Sequence, residues 1–393
     1  MLKSIKQPVT TYLKRGVRHI VSGSKAAFRI PLTASLTASP SLSYTFTRST
    51  TGTYIDNNGV IQMAAINEPR FQDGGLLVEP SATNLLQYSE SFVSTYWTKT
   101  NCTITPNNTI APDGTLEADL VTVTGSYSNI PTNITVPSSE GVYILSTHIK
   151  NKDCTGPLQL MVTNSTSSVT YLVYDIDISD EWVRVYASFT KPEGVTVIRV
   201  RPVRLNNTSP SGSFWIWGSQ LELGSTSTSY IPTAGAATTR TADVLTYNVS
   251  DVITQGQGSL YCEFTYYGSL AAYPHLFSLD CGLSSDRIYV YISSSTNSFV
   301  LSVFQGGVHN GLVSKIITVG ESYKALVTLN SDSASLYVNG VKVGTVSGTL
   351  PTNLTTLHVG CHYGESQNLN GEIKNMRYFK EVFSESEAIR RTS

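Results

Sequence analysis

The sequence predicts an all-β protein built from two antiparallel β-sandwiches. Short segments in which apolar and polar residues alternate recur through the 393 residues, with turn-forming residues between them about every ten positions. Only 14% of the residues are charged, against about a quarter in an average soluble protein. The 22 tyrosines and 29 glycines suit strands that are joined by tight turns.

The first element is a basic N-terminal arm, which we assign to residues 1–44. Of the 27 basic residues, eight lie between Met1 and Ile55, where there is no acidic residue; this leaves 19 basic against 28 acidic residues in the remainder. A basic arm on an acidic body suits contact with nucleic acid, a membrane surface or an acidic protein. A solvated tail is the alternative.

The second element is a sandwich over residues 45–245. "YTFTRS", the turn "DNNG" and "VIQMAAI" predict a β-hairpin, and strands such as "GVYILSTHIK" and "WVRVYASFT" follow at regular intervals. A small, polar segment at 235–250 marks the end of this unit.

The third element is a second sandwich over residues 246–393. Asn339-Gly340 lies between two alternating segments and predicts a type I′ hairpin, because both turn residues of that type need a positive φ. Near the end, Ser384 followed three residues later by Glu387 predicts a capped helix.

Catalytic and metal-binding patterns are weak. Asp175 and Asp177 share a strand face, which is more typical of a solvated strand end than of a glycosidase pair. His358, Cys361 and His362 lie within five residues, but a fourth zinc ligand has no evident source. The sequence therefore predicts a protein that is not an enzyme and that needs no metal or cofactor.

The cysteine spacing and the absence of long apolar runs in the sequence bear on the cellular compartment of the protein. Five cysteines at long spacings predict free thiols in a reducing compartment and no disulfide framework. No apolar run is long enough for a membrane span, and the N-terminus lacks the pattern of a secretory signal peptide.

Trp215 and Trp217 would lie on one face of a strand. Such a pair suits either a sugar-stacking platform or a sandwich core. Because Phe214 and Ile216 make the other face apolar as well, we predict a core strand. Trp97 and Trp182 are interpreted in the same way.

Residues 45–245 resemble a module of tailed-bacteriophage virion proteins, a carbohydrate-binding-like β-jelly roll. The resemblance rests on motifs in a fixed order: Glu79-Pro80 before Asn84-Leu85, Trp97, Pro112-Asp113-Gly114, Trp182, Gly218 with Gln220 and Glu222, and Tyr230-Ile231-Pro232. The segment from 250 to 393 resembles a concanavalin A-like (laminin-G-like) lectin domain through "LYVNGVKVGTV", "LHVG" and "LNGEIKNMRYFKEVFSESEA". The calcium-binding acids of legume-type lectins are not recognisable in it.

A candidate glycan-binding face follows from alternation in two strands of this second unit. In each strand, polar and aromatic side chains would share the face opposite an apolar one, as a sugar-binding sheet requires. The candidates are Tyr261, Glu263, Tyr267, Arg287, Tyr289 and Tyr291. The alternatives are half-buried tyrosines on an ordinary sheet face, or a face that packs on a neighbouring subunit.

The resemblance implies a virion structural protein, a tail or head fibre or appendage, displayed on the phage particle after synthesis in the host cytoplasm. The arm would dock on other virion proteins, and the sandwiches would bind host-surface polysaccharide. We expect no nucleic-acid partner and a homo-oligomer; trimers are common among such appendages. The alternative is a purely structural decoration or adaptor without glycan binding. The candidate anchoring residues are Lys3, Lys6, Lys14, Arg15 and Arg18.

Overall fold

A computed structural model describes residues 25–206, 211–268 and 271–393. It confirms the predicted fold class: all named strand pairs are antiparallel, and one short helix is present in these ranges. No helix in the described ranges is long and apolar enough to cross a membrane. The predicted anchoring residues Lys3, Lys6, Lys14, Arg15 and Arg18 lie outside the described residues.

The strands are short and follow one another closely. Those of the N-terminal segment are β1 (Phe28–Ile30), β2 (Tyr44–Thr47), β3 (Gly52–Ile55), β4 (Ile61–Ala64), β5 (Arg70–Gln72), β6 (Gly75–Val78) and β7 (Ala82–Asn84). Those of the middle segment are β8 (Cys102–Thr109), β9 (Ala118–Val123), β10 (Thr132–Thr135), β11 (Gly141–Asn151), β12 (Leu158–Asn164), β13 (Thr170–Ile176), β14 (Val183–Lys191), β15 (Val197–Leu205), β16 (Ser213–Leu223) and β17 (Thr238–Arg240). Those of the C-terminal segment are β18 (Val244–Asn248), β19 (Gln257–Tyr266), β20 (His275–Asp280), β21 (Arg287–Ser293), β22 (Ser298–Gln305), β23 (Val308–Ile316), β24 (Ser322–Asn330), β25 (Ser333–Val338), β26 (Val341–Ser347), β27 (Thr356–Val359) and β28 (Gly371–Phe379), with helix α1 (Glu385–Thr392).

Two sheets form what we call the C-terminal sandwich. The eight-stranded sheet has the order β26-β25-β24-β19-β28-β6-β5, with β1 also paired to β28, and the seven-stranded sheet has the order β2-β18-β27-β20-β21-β22-β23. Their facing sides bury one continuous apolar core, which supplies the main driving force for folding of this unit.

The C-terminal sandwich includes four strands from the start of the chain. Strands β1 and β6 pair with β28, β5 pairs with β6, and β2 pairs with β18; Phe28, Ile30 and Val78 are fully buried in the core. The strand pairing therefore divides the chain differently from the predicted boundaries at 44 and 245. Alternation in a sequence shows which face of a strand is buried but not which sheet the strand joins.

The middle segment forms a second unit, the inserted sandwich. Its four-stranded sheet has the order β10-β15-β12-β13, and its five-stranded sheet has the order β14-β11-β16-β9-β8. These two sheets enclose a separate core. Because strands of the C-terminal sandwich precede and follow it in the chain, this unit is an insertion into the C-terminal sandwich.

A bulge in β16 decides where its tryptophans lie. The pairing of β11 with β16 shifts between Ser146 and His148, opposite Gly218, which has φ +61°. Trp217 is buried as predicted, but in a small cluster with Tyr230 outside the main core of the inserted sandwich. Trp215, predicted to be a core residue, is only partly buried, and its indole N–H donates to Asn108 Oδ1 at 3.0 Å.

The remaining two tryptophans, Trp97 and Trp182, also differ from each other in how deeply they are buried. Trp97 lies in the main core of the inserted sandwich, as predicted. Trp182 is only partly buried, against the Trp217 cluster, and its indole N–H donates to the carbonyl of Ile110 at 3.0 Å.

Buried ion pairs connect the segments at which the chain leaves and re-enters the C-terminal sandwich. Arg48 Nη1 lies 3.0 Å from Asp243 Oδ1, Arg70 Nη1 lies 2.6 Å from Glu79 Oε2, and Arg70 also contacts Asp243. Burial alone would raise the pKa of Glu79, but Arg240 and Arg70 outweigh it and hold that pKa at about 2. Glu79 is therefore ionised at neutral pH, and removal of one partner would leave a buried charge unpaired.

The predicted turns are largely confirmed. Asn339 and Gly340, with φ values of 47° and 74°, join β25 to β26 as a type I′ turn requires. Ser384 caps α1 and accepts a hydrogen bond from the Glu387 N–H. The N-terminal hairpin differs: β3 pairs with β4, whereas the preceding "YTFT" segment joins β18 in another sheet. All five cysteines are free.

Candidate functional site

The structure divides the six predicted face residues between two sheets. Tyr261, Glu263 and Tyr267 belong to β19 and the residue after it, in the eight-stranded sheet. The other three, Arg287, Tyr289 and Tyr291, belong to β21 in the seven-stranded sheet. Each group points away from the shared core, because the alternate residues of both strands lie within that core. The six residues therefore form two surfaces on opposite sides of the sandwich.

The outer face of the eight-stranded sheet is covered around Tyr261. Tyr261 is only 7% exposed and packs with Phe383 and with Ala388 of α1. Its hydroxyl donates to Glu263 Oε1 at 2.9 Å, and the Tyr267 hydroxyl donates to Glu372 Oε1 at 2.6 Å. We call this surface the covered face. Tyr261 cannot stack on a sugar there, because the helix occupies that side of its sheet.

The outer face of the seven-stranded sheet carries a stack of rings. The imidazole of His275 lies 5.2 Å from the ring of Tyr289 and 5.6 Å from the ring of Tyr291, nearly parallel to both. The two tyrosine rings are 5.5 Å apart at an angle of 25°. Both tyrosines are partly exposed, and Tyr273 at the edge is 52% exposed.

Arg287 is held among aromatic rings of the same face. Its guanidinium carbon lies 4.5 Å from the ring centroid of Phe304, 4.8 Å from that of Tyr289 and 5.1 Å from that of Tyr363, all within the range of a cation–π interaction. Its Nη1 is 3.4 Å from His362 Nε2. We call the surface formed by His275, Arg287, Tyr289, Tyr291, Phe304 and Tyr363 the aromatic face.

His275 of this face and the adjacent His362 are neutral at physiological pH. Burial, together with the neighbouring His362 and Arg287, lowers the pKa of His275 to about 3. Burial and Arg287 likewise lower the pKa of His362 to about 4. The aromatic face therefore presents one arginine cation among neutral rings.

This arrangement suits a polyhydroxylated ligand. Tyrosine rings offer flat apolar surfaces to the C–H faces of a sugar, and their hydroxyls can donate and accept hydrogen bonds. The guanidinium adds a planar set of donors that is already held in place by the rings around it. Asp280 and Ser278 of the neighbouring β20 are buried and hydrogen-bonded to each other at 2.7 Å, and they lie beside Arg287 and Tyr289, with which they pair in the sheet.

Sequence reasoning missed three members of the aromatic face. Phe304 could have been found, because it alternates with the core residues Leu301 and Val303 of β22. His275 could not, since a bulge between it and Phe277 changes which side it faces. Tyr363 comes from the loop after β27 and has no local pattern that predicts its position.

The predicted catalytic and metal candidates are not brought together. Cys361 is buried, and burial raises the pKa of its thiol to about 12. His358 Nε2 lies 3.5 Å from Asp280 Oδ1, whereas His362 faces Arg287. In the ranges that the structure describes, no group of three or more His, Cys, Asp or Glu residues is placed to hold a metal ion. Asp175 accepts a hydrogen bond from Gln159 at 2.7 Å.

The fold is that of a lectin-like β-sandwich. Residues 261–388 match the family model described as the concanavalin A-like lectin/glucanases superfamily. The matched stretch covers most of the C-terminal sandwich but not β1, β2, β5, β6 or β18. No curated protein sequence matches the chain.

Several solved structures are similar to part of the chain. The Ruminococcus gnavus IT-sialidase CBM40 bound to α2,6-sialyllactose is 17% identical over 38% of this chain and 92% of that chain, with a TM-score of 0.33. Domain 4 of an extracellular arabinanase from Geobacillus stearothermophilus, in complex with arabinotriose, is 11% identical over 39% and 73%, with a TM-score of 0.33. A galectin of Caenorhabditis elegans is 12% identical over 32% and 84%, with a TM-score of 0.25. Similarity at this level says nothing about the ligand of this chain.

Proposed function

We propose that this protein binds host-surface glycans through the aromatic face and that it does so as a fibre or appendage protein of a bacteriophage particle. The observation that carries the glycan proposal is the stack of His275, Tyr289 and Tyr291 beside Arg287, on a sheet face where the tyrosines are partly exposed. Rings fixed in this way need little ordering when a sugar binds, which favours affinity.

Binding without catalysis fits the residues of this surface. An enzyme that hydrolyses glycosidic bonds generally needs two carboxylic acids across a cleft. The aromatic face has none among its six members. The carboxylate nearest to them in the sheet, Asp280, is fully buried and already accepts hydrogen bonds from Ser278 and the Gly282 N–H. We therefore propose a binding protein whose weak individual sites gain strength from several copies on one particle.

The glycan proposal is tested with single substitutions in the full chain. Tyr289→Ala and Tyr291→Ala should each weaken binding to immobilised bacterial surface polysaccharide by about tenfold, because each removes a stacking surface at the centre of the site. The measurement is equilibrium binding by surface plasmon resonance. Tyr186→Ala is the matched control, since Tyr186 is exposed at 37% on a strand of the inserted sandwich.

The outcomes distinguish the proposed role from its alternative. Equal binding by all three variants and the unchanged protein would reject the aromatic face as the site. Absence of binding to every polysaccharide tested would favour a purely structural decoration or adaptor protein.

The particle proposal rests on the basic N-terminal segment and on the family resemblance of residues 45–245, and it needs its own test. We expect a chain lacking residues 1–24 to lose rebinding to particles from which the protein has been stripped, since this removes Lys3, Lys6, Lys14, Arg15 and Arg18 together. The deletion must stop before Phe28, because β1 is hydrogen-bonded to β28. Normal rebinding of the truncated chain would show that the sandwiches themselves hold the particle.

A further inference from the structure

The inserted sandwich presents three arginines on the outer face of its four-stranded sheet. Ile198 and Val200 of β15 point into the core, and so do Val203 and Leu205. The alternation therefore changes between Val200 and Val203. It changes because the pairing of β12 with β15 has a bulge, in which Gln159 pairs with Arg204 and Met161 pairs with Arg201. This bulge brings Arg204 to the same side as Arg199 and Arg201.

The partners of these arginines are neutral. Arg201 is only 7% exposed, and its guanidinium donates to Thr163 Oγ1 at 3.1 Å and to Ser167 Oγ at 2.8 Å. Arg204 lies 3.4 Å from Gln159 Oε1 and over the ring of Tyr127 at 5.9 Å. The buried Nε of Arg199 has no hydrogen-bond partner in the structure.

None of the three arginines is in a direct ion pair with a described residue, and the Asp175 carboxylate on the same face is connected to Arg204 only through Gln159. No carboxylate in the described ranges lies within 4.0 Å of any of them as an ion pair. Burial, together with the repulsion of Arg199 and Arg204, lowers the pKa of Arg201 to about 10. An anion that bound between them would relieve this repulsion.

We propose that the surface formed by Arg199, Arg201 and Arg204 is a second binding site, which takes a carboxylate-bearing polysaccharide. Guanidinium groups match planar carboxylates with paired hydrogen bonds, and the hydroxyls of Thr163 and Ser167 hold one of the three groups in a fixed orientation. Beside them, Met161 pairs with Val173, which is 48% exposed and offers an apolar contact to the C–H face of a sugar ring.

A polysaccharide fits this surface better than nucleic acid does. Three arginines can neutralise only about three phosphates, which gives a small release of counterions and weak binding. The remainder of the chain after Ile55 carries 19 basic against 28 acidic residues, so a ligand as densely charged as duplex nucleic acid, with one charge per about 1.7 Å of axis, would meet strong repulsion beyond the arginines. A chain of sugars with spaced carboxylates needs only the local site.

The experiment compares two double variants of the full chain. Arg199→Gln with Arg204→Gln should weaken binding of polygalacturonate or alginate by about tenfold or more, because each loses a charge-assisted pair. Lys150→Gln with Lys152→Gln removes the same charge from the end of β11 and the residue after it, in the same sandwich, and should leave binding unchanged. The unchanged protein should not bind the methyl ester of polygalacturonate, which keeps the sugar and loses the charge. Arg201 is left in place because its side chain is buried.

The possible results separate binding of an acidic polysaccharide from general attraction to charge and from binding of nucleic acid. No binding of the unchanged protein to polygalacturonate or to alginate would overturn the proposal. Equal losses in the two double variants would overturn it too, since they would indicate attraction to charge in general. Binding of single-stranded DNA that is as tight and equally sensitive to Arg199 and Arg204 would replace the polysaccharide with nucleic acid. Tyr289→Ala should not alter polygalacturonate binding, so the proposal for this site and the proposal for the aromatic face are tested independently.

Discussion

The covered face and the aromatic face of the C-terminal sandwich have the same alternating sequence pattern, but their surroundings in the structure differ. Tyr261 and Glu263 alternate with core residues in β19 as Tyr289 and Tyr291 do in β21. Helix α1 then packs over Tyr261, while Tyr289 and Tyr291 stay partly exposed beside Arg287. An alternating aromatic pattern thus identifies a potential binding face, but what packs over the face decides whether it is available.

The polar groups of the two surfaces also have different partners. On the covered face, the hydroxyl of each tyrosine is already bonded to a carboxylate: Tyr261 to Glu263 and Tyr267 to Glu372. On the aromatic face, the contacts are mostly between rings and a cation. We therefore expect substitutions on the covered face to change stability, and substitutions on the aromatic face to change binding.

The largest effect is expected for Tyr261→Ala. It should lower the free energy of unfolding by about 3–5 kcal/mol, because it leaves a cavity under α1. It also removes one of two hydrogen bonds to Glu263 Oε1, since Asn375 donates the other. Tyr289→Ala, at the equivalent position of the aromatic face, should cost about 1 kcal/mol. Urea denaturation measures both. Equal losses at the two positions would contradict the contrast between the two surfaces.

A milder variant keeps this comparison interpretable if Tyr261→Ala fails to fold. Tyr261→Phe retains the ring and removes only the hydrogen bond to Glu263, at a cost of about 1 kcal/mol. Glycan binding by Tyr261→Phe should equal that of the unchanged protein. A loss of binding would mean that the covered face takes part in recognition.

A smaller change in the free energy of unfolding is expected when the pH is varied, because of the Glu372 carboxyl group on the covered face. Burial raises the pKa of Glu372 to about 7, above its unfolded value of 4.5. The stabilisation from its neutral form is complete below pH 4.5 and is lost as the pH rises through 7. Glu372→Gln imitates the neutral acid, so it should match the unchanged protein at acidic pH and be more stable above neutrality by about 1–3 kcal/mol.

Denaturation series over a range of pH check this prediction, with Glu321→Gln as the control at an exposed position just before β24. The aromatic face should show the opposite slope. The low pKa of His275, about 3, means that its contribution is complete above its unfolded value of 6.5 and is lost as the pH falls toward 3. A stability difference between Glu372→Gln and the unchanged protein that did not vary with pH would contradict the assignment of Glu372.

Much of the local structure could be predicted from the sequence. The Asn339-Gly340 turn, the Ser384 cap and the alternation of β19 and β21 all follow from interactions between residues close in the chain. The candidate site was predicted in part: Arg287, Tyr289 and Tyr291 do share a surface with other rings. Tyr261, Glu263 and Tyr267 lie on the other sheet, because alternation gives the two sides of a strand but not its neighbours.

At several positions, β-bulges explain why the sequence pattern does not predict the face of the sheet on which a side chain lies. The register changes next to Gly218, between His275 and Phe277, and between Arg201 and Arg204. Each change moves later residues to the other face of the sheet, so counting by twos from the nearest apolar residue gives the wrong side. Bulges depend on the partner strand, and that partner is often distant in the sequence.

The sequence by itself determined that this chain is all-β, where its turns lie, and which residue types it can offer to a ligand, because these depend on composition and on contacts within a few residues. Only the tertiary structure decided that β1, β2, β5 and β6 complete the C-terminal sandwich, that α1 covers Tyr261, and that Arg199, Arg201 and Arg204 share one surface. Those outcomes depend on which strands pair over long distances in the chain, and pairing is selected by the burial of whole faces rather than by any local pattern.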